Sequence, residues 1–208
     1  MNRVKDIVSE SKYPIKCTYF MEPEFIVIHN TANDASAKNE VSYMKNNNSS
    51  VSYHFAVDDI EIRQALPINR NGWHAGDGTK GNGNRKGIAI EVCYSKSGGE
   101  RFAKAEENAA ILAAELLDQY GWGIDRLKKH QDFSGKYCPH RTLDMGWDRF
   151  VKMVEKNMKY EPTIENVVEE LYNKGILTAK DYWITRLKED NNVFCLVRNC
   201  LNYIKKGD

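Results

Sequence analysis

Phe25-Ile26-Val27-Ile28 is a short apolar run of β-preferring residues after Pro23, and it predicts a buried strand ending in His29-Asn30-Thr31. From Ala37 the apolar positions Val41 and Met44 recur at helical spacing, with Ser36 as N-cap and Asn46-Asn47-Asn48 as the stop. Residues 51–57 and 60–66 alternate around Asp58-Asp59, the pattern of a hairpin. Lys86 to Cys93 reads as a further strand, apolar on both faces except at Glu91. The longest amphipathic stripe joins Ala105, Ala109, Leu112, Ala113, Leu116, Leu117 and Tyr120, and predicts a helix over 102–120 closed by Gly121. Another helix is expected over 147–158, with Phe150, Val151, Val154 and Met158 inward. Strands interleaved with helices predict an α/β fold, a mixed central sheet flanked by helices.

Tyr160-Glu161-Pro162-Thr163 divides this unit, residues 1–160, from a small three-helix domain over 163–208. Its helical patterns fall at 164–174, 179–187 and 193–204. A unit that small is expected to dock on the main domain or to self-associate. Its aromatics Tyr172, Tyr182, Trp183 and Tyr203 have two readings: rings that stack on sugars, or the core of the three helices.

Composition narrows the function. Thirty basic and 29 acidic residues leave a net charge of +1, which advertises no basic face for nucleic acid. No stretch reaches the roughly 18 uninterrupted apolar residues of a membrane helix. The opening MNRVKDIVSESKYP lacks the apolar segment of a signal peptide, so the expectation is synthesis in the cytoplasm. Five cysteines at irregular spacings indicate neither a disulfide framework nor a four-cysteine zinc ribbon, and most are expected to be reduced and buried.

His29, His130 and Cys138 are the candidate metal ligands. Two neutral imidazoles and a thiolate make a zinc set that leaves the fourth tetrahedral position to water. The competing reading is a hydrogen-bonded core histidine and a buried cysteine before proline. A closed structural zinc site needs four protein ligands, and no fourth is visible. Glu91 is a carboxylate in an apolar strand, costly to bury without a partner, and buried acids serve general-base chemistry near neutrality. Its alternative is a structural ion pair or a solvent-facing edge position. A glycosidase would need a second carboxylate of this character. Residues 67–87 have no period and no helix start, as functional loops often do, and no phosphate-binding motif. Within them Trp73 and His74 read as ligand-facing groups, or Trp73 as the buried anchor of the loop.

FIVIHNTA (25–32), SYHFAVDD (52–59), GWHAG (72–76), GIAIEV (87–92) and HQDFSGKYCP (130–139) occur in this order. Together they resemble the zinc-dependent N-acetylmuramoyl-L-alanine amidases of the amidase-2 type, over roughly residues 10–158. That group includes phage and prophage endolysins of Gram-positive hosts and is related to peptidoglycan recognition proteins. The resemblance implies one zinc per chain on His29, His130 and Cys138, with Glu91, Lys136 and Tyr53 as catalytic groups. It implies a peptidoglycan partner, with Trp73 and His74 on the groove wall. His54 would then be a core residue or one that supports a metal ligand, and His140 a loop residue, while Asn30 and Asp132 either orient imidazoles or cap turns. The retained cysteine favours an enzyme over a non-catalytic peptidoglycan-binding protein. A phage lysin of this kind would reach the wall once the membrane is permeabilised.

Overall fold

The computed structural model describes residues 1–158 and 164–205, so the predicted boundary at 160–163 lies outside the described residues. In chain order the strands are β1 (Asn2–Lys5), β2 (Phe25–Asn30), β3 (Phe55–Val57), β4 (Glu61–Gln64), β5 (Gly87–Val92) and β6 (Leu127–Lys129). They form one mixed sheet in the order β1-β4-β3-β5-β2-β6, in which only the β3–β4 hairpin is antiparallel. The helices are α1 (Tyr13–Lys16), α2 (Ala37–Asn46), α3 (Asn82–Lys86), α4 (Gly99–Tyr120), α5 (Gln131–Ser134), α6 (His140–Asp144) and α7 (Trp147–Asn157). The C-terminal helices are α8 (Ile164–Asn173), α9 (Lys180–Glu189) and α10 (Asn191–Lys205).

Register sorts the strand residues onto two faces. Ile26 and Ile28 of β2 pair with Ile88 and Ile90 of β5, and Phe55 and Val57 of β3 continue that set. Alternation sends these side chains to one face, where α4 covers the sheet. Five alanines of α4 (Ala105, Ala109, Ala110, Ala113 and Ala114) are fully buried and allow a close approach. Each large apolar side chain removed from water there contributes about 1.5–3 kcal/mol. Gly121 ends α4 in a left-handed conformation, as its sequence predicts. Arg149 of α7 ties to the buried Glu106 of α4 at 2.6 Å.

Local signals explain most boundaries. The Ser36 side chain accepts from the Asn39 amide at the start of α2. Asp58 turns the hairpin by accepting from the amides of Ile60 and Glu61. The strands of that hairpin are shorter than their alternation predicts. The long loop does contain a helix, α3, which sequence reasoning missed. Its first amides are satisfied from a distance, by the carboxylate of Asp77 bonding Gly83 and Asn84, rather than by an adjacent cap. β1 and β6 were also missed: β1 is a largely exposed edge and β6 has three residues, so neither carries a hydrophobic period. All five cysteines are free, Cys17, Cys93 and Cys138 buried, Cys195 half-buried and Cys200 exposed.

The C-terminal helices have a core of their own, Val167 and Leu171 packed against Leu177, Phe194 and Val197. Tyr172 and Tyr182 are exposed instead of filling it. The side chain of Tyr203 lies outside the described residues. No described helix is long and apolar enough to cross a membrane.

Candidate active site

The second face of the sheet carries the chemistry. His29 of β2 lies in register with Glu91 of β5, and alternation turns both away from α4. His130 directly follows β6, and its amide donates to the Ile28 carbonyl at 3.3 Å. Three neighbouring parallel strands therefore deliver Glu91, His29 and His130 at their C-terminal ends. Cys138 closes the group from the following loop, held by the Gln131 amide donating to its carbonyl at 3.0 Å.

His29 Nδ1 lies 3.0 Å from His130 Nδ1 and 3.9 Å from Cys138 Sγ. All three donor atoms fall within 4.8 Å of one another, and all three residues are buried. Donors about 2.0–2.3 Å from one tetrahedral zinc stand roughly 3.3–3.6 Å apart. The observed separations straddle that value, so the cluster is compatible with a metal site.

Without a cation these groups are held neutral. Burial pushes His29 well below its ordinary pKa, with His74, His130 and Lys136 adding to the effect. Burial pushes the Cys138 thiol up to about 11. A neighbouring cation is what converts such a thiol to thiolate.

Glu91 sits half-buried, and its Oε2 has no hydrogen-bond partner. Burial above all, with Glu40 of α2 adding to it and Lys136 opposing, raises its pKa to about 8. Lys136 is exposed two residues before Cys138, so its charge reaches the site from the solvent side. A cavity of about 630 Å³ opens between α2 and β5, lined by Thr31, Glu40, Tyr43, Val51, Tyr53 and Glu91 among others. Three of its lining atoms (Thr31 Oγ1, Tyr53 Oη and Glu91 Oε2) are buried polar groups without a partner. Buried polar atoms are nearly always paired, so these three groups are available to solvent or to a ligand entering the cavity. Burial holds the Tyr53 phenol firmly protonated.

The structure does not bring every expected residue to this cavity. His74 is buried behind His29: its Nδ1 lies 3.0 Å from His29 Nε2 and its Nε2 lies 3.3 Å from the Gly87 carbonyl. Trp73 bridges to Ser52 in antiparallel fashion and meets Tyr19 edge-on, so it anchors the loop instead of lining the cavity. Asn30 does not orient an imidazole. Its Oδ1 accepts from the amides of Arg141 and Thr142, capping α6 just after Cys138. Its backbone N–H donates to the Cys138 sulfur and draws the thiol pKa down. Asp132 caps the Lys129 amide at 3.0 Å, an ordinary turn contact. His54 is a core residue, as expected, its Nδ1 accepting from the Ala89 amide. His140 is half-buried at the start of α6, not in a loop, with Nε2 on the Ser95 carbonyl. Glu40, Thr31 and the role of His74 were not visible in the sequence, because nothing in α2 or the loop advertises a shared cavity or a contact 45 residues away.

A mixed sheet with two buried histidines at its strand ends and a buried cysteine on the following loop, beside a carboxylate-lined cavity, is compatible with the metal-dependent hydrolase class of site. The chain belongs to the N-acetylmuramoyl-L-alanine amidase family, whose model matches residues 19–141. It is 59% identical over 157 residues to the N-acetylmuramoyl-L-alanine amidase CwlA of Bacillus subtilis (strain 168), covering 75% of this chain and 58% of that protein. The solved structure of PlyL is similar with a TM-score of 0.72 at 50% identity, covering 74% of this chain and 97% of that one. A mutant endolysin from Bacillus subtilis is similar with a TM-score of 0.67 at 40% identity, covering 74% of this chain and 99% of that one. The chain spans about half the length of the curated relatives it matches.

Proposed function

We propose that this chain is a peptidoglycan-hydrolysing amidase of the endolysin type, cutting the amide between the lactyl group of N-acetylmuramic acid and L-alanine. His29, His130 and Cys138 would hold one zinc ion. The observation that carries the reading is their convergence beside Glu91, whose carboxylate borders a cavity with unpaired polar groups. Zinc held there supplies a Lewis acid, which polarises a carbonyl and lowers the pKa of water.

The remaining work falls to side chains. Glu91 takes a proton from the attacking water and passes it to the departing nitrogen as the C–N bond breaks. A carboxyl group pushed up toward neutrality is suited to both transfers. The ammonium of Lys136 faces the charge developing on the carbonyl oxygen, a contribution typically worth about 3–4 kcal/mol per donor. Tyr53 and Thr31 offer hydroxyl groups to the peptide. The products are a lactyl carboxylate and a free alanine amino group.

The C-terminal unit, residues 163–208, is assigned to wall binding. The exposed rings of Tyr172 and Tyr182 support this, since the core of those helices is made without them. Mass analysis of digested walls tests the reaction: new alanine amino groups are expected, without new reducing ends. Reducing ends would make the chain a glycosidase, and binding without any new termini would make it a recognition protein.

A further inference from the structure

We propose that His74 is a positioning residue for the metal site, fixing the His29 ring in the one tautomer that presents a bare Nδ1 to an ion. This rests on the metal reading above and adds a residue to it.

The argument is one of proton counting along a line of contacts. The Gly87 carbonyl can only accept, so His74 Nε2, 3.3 Å away, must carry a proton and donate it. A neutral imidazole has one N–H, which leaves His74 Nδ1 as an acceptor. The atom 3.0 Å from it, His29 Nε2, must then be the donor. The single proton of a neutral His29 is thereby placed on Nε2. Its Nδ1 is left with a free lone pair, 3.0 Å from His130 Nδ1 and 3.9 Å from Cys138 Sγ. Metal-ligating histidines are commonly oriented by an acceptor on their second nitrogen; here a second imidazole fills that role, with a backbone carbonyl behind it.

The surroundings hold His74 in this role. Its ring meets His29 edge-on at 5.0 Å and His54 at 6.3 Å. His54 is itself pinned, Nδ1 accepting from the Ala89 amide and Nε2 donating to the Arg70 carbonyl. The amides of His74 and Ala75 both donate to Asn84 Oδ1, which fixes the backbone carrying the ring. Gly87 completes the cradle: a Cβ there would come within 2.5 Å of the Gly83 carbonyl and 3.3 Å of the His74 ring. The long loop thus serves the metal site from behind.

The test uses the full chain and zinc alone. Competition with a chromophoric chelator is expected to show zinc affinity falling about 10–100-fold in His74→Phe. His74→Asn, whose amide oxygen can stand where Nδ1 stood, should recover most of that loss. In metal-free wild-type protein, long-range ¹H–¹⁵N spectra should find the His29 proton on Nε2. Undiminished zinc affinity in a folded His74→Phe protein would overturn the proposal. So would a His29 proton on Nδ1, which decides the matter even if His74→Phe fails to fold. Failure of the wild-type protein to take up zinc would instead defeat the metal reading, and the spectra of the metal-free chain would still report the tautomer.

Discussion

The two faces of the sheet solve opposite problems, and strands β2 and β5 take part in both. On the α4 face, Ile26, Ile28, Ile88, Ile90 and Phe55 are buried and apolar, and the alanines of α4 close over them. On the other face, one residue along each strand, register places His29 beside Glu91 with His130 next in line. Polar groups there are either pinned by a partner, as His54 and His74 are, or left unpaired around the cavity, as Glu91 and Tyr53 are. The first face supplies stability. The second spends some of it to hold groups that want a proton, an ion or a substrate. Substitutions on the two faces should therefore fail in different ways.

The largest effect is expected at Glu91. Glu91→Ala should lower amide hydrolysis about 10²–10⁴-fold in steady-state assays while zinc content stays unchanged. A wild-type rate would remove it as the proton carrier. On the opposite face, Ile90→Ala should cost about 2–5 kcal/mol in denaturant unfolding. The folded fraction should still bind zinc; a specific loss of metal there would blur the division between the faces.

Acid should reveal the burden of buried imidazoles. Burial brings His54 down to about 4 from the ordinary 6.5, so between those values the unfolded chain takes up a proton that the folded one refuses. Stability contributed by the neutral ring is complete above pH 6.5 and falls as pH drops toward 4. The loss is about 3 kcal/mol at roughly 1.4 kcal/mol per pKa unit. Unfolding measured across that window should be flatter for His54→Asn than for wild type.

Lys136 offers a finer test. Its charge opposes burial at Glu91, so Lys136→Ala should move the acidic limb of the pH–rate profile to higher pH, besides lowering the rate. An unmoved limb would uncouple the two residues. The smallest effect belongs to the C-terminal helices: Tyr172→Ala with Tyr182→Ala should weaken sedimentation with cell walls several-fold, at about 0.5–1.5 kcal/mol per stacked ring.

How much of this was legible depended on whether the signal was local. The β2 and β5 runs, the Ser36 cap, the Gly121 stop and the α4 stripe are all written within a few residues, and each appears where its pattern places it. Glu91 stood out as one charge in an apolar strand. His29, His130 and Cys138 are separated by up to 109 residues, so only the motifs as an ordered set, and then strand register, bring them together. His74 could not be placed from its neighbours in the chain, because its partner lies 45 residues away and both ligand and wall readings suit a histidine in a glycine-rich loop. Asn30 shows the same limit at shorter range. It adjoins His29, yet alternation turns its side chain to the opposite face, where it caps the helix after Cys138.

Elemental analysis of the purified chain beside its Cys138→Ala variant tests the central claim most directly. The account predicts about one zinc per wild-type chain, as a mononuclear site requires, and a marked loss of both metal and wall lysis in the variant. Full lytic activity in protein stripped of metal, or undiminished zinc without the sulfur, would contradict it.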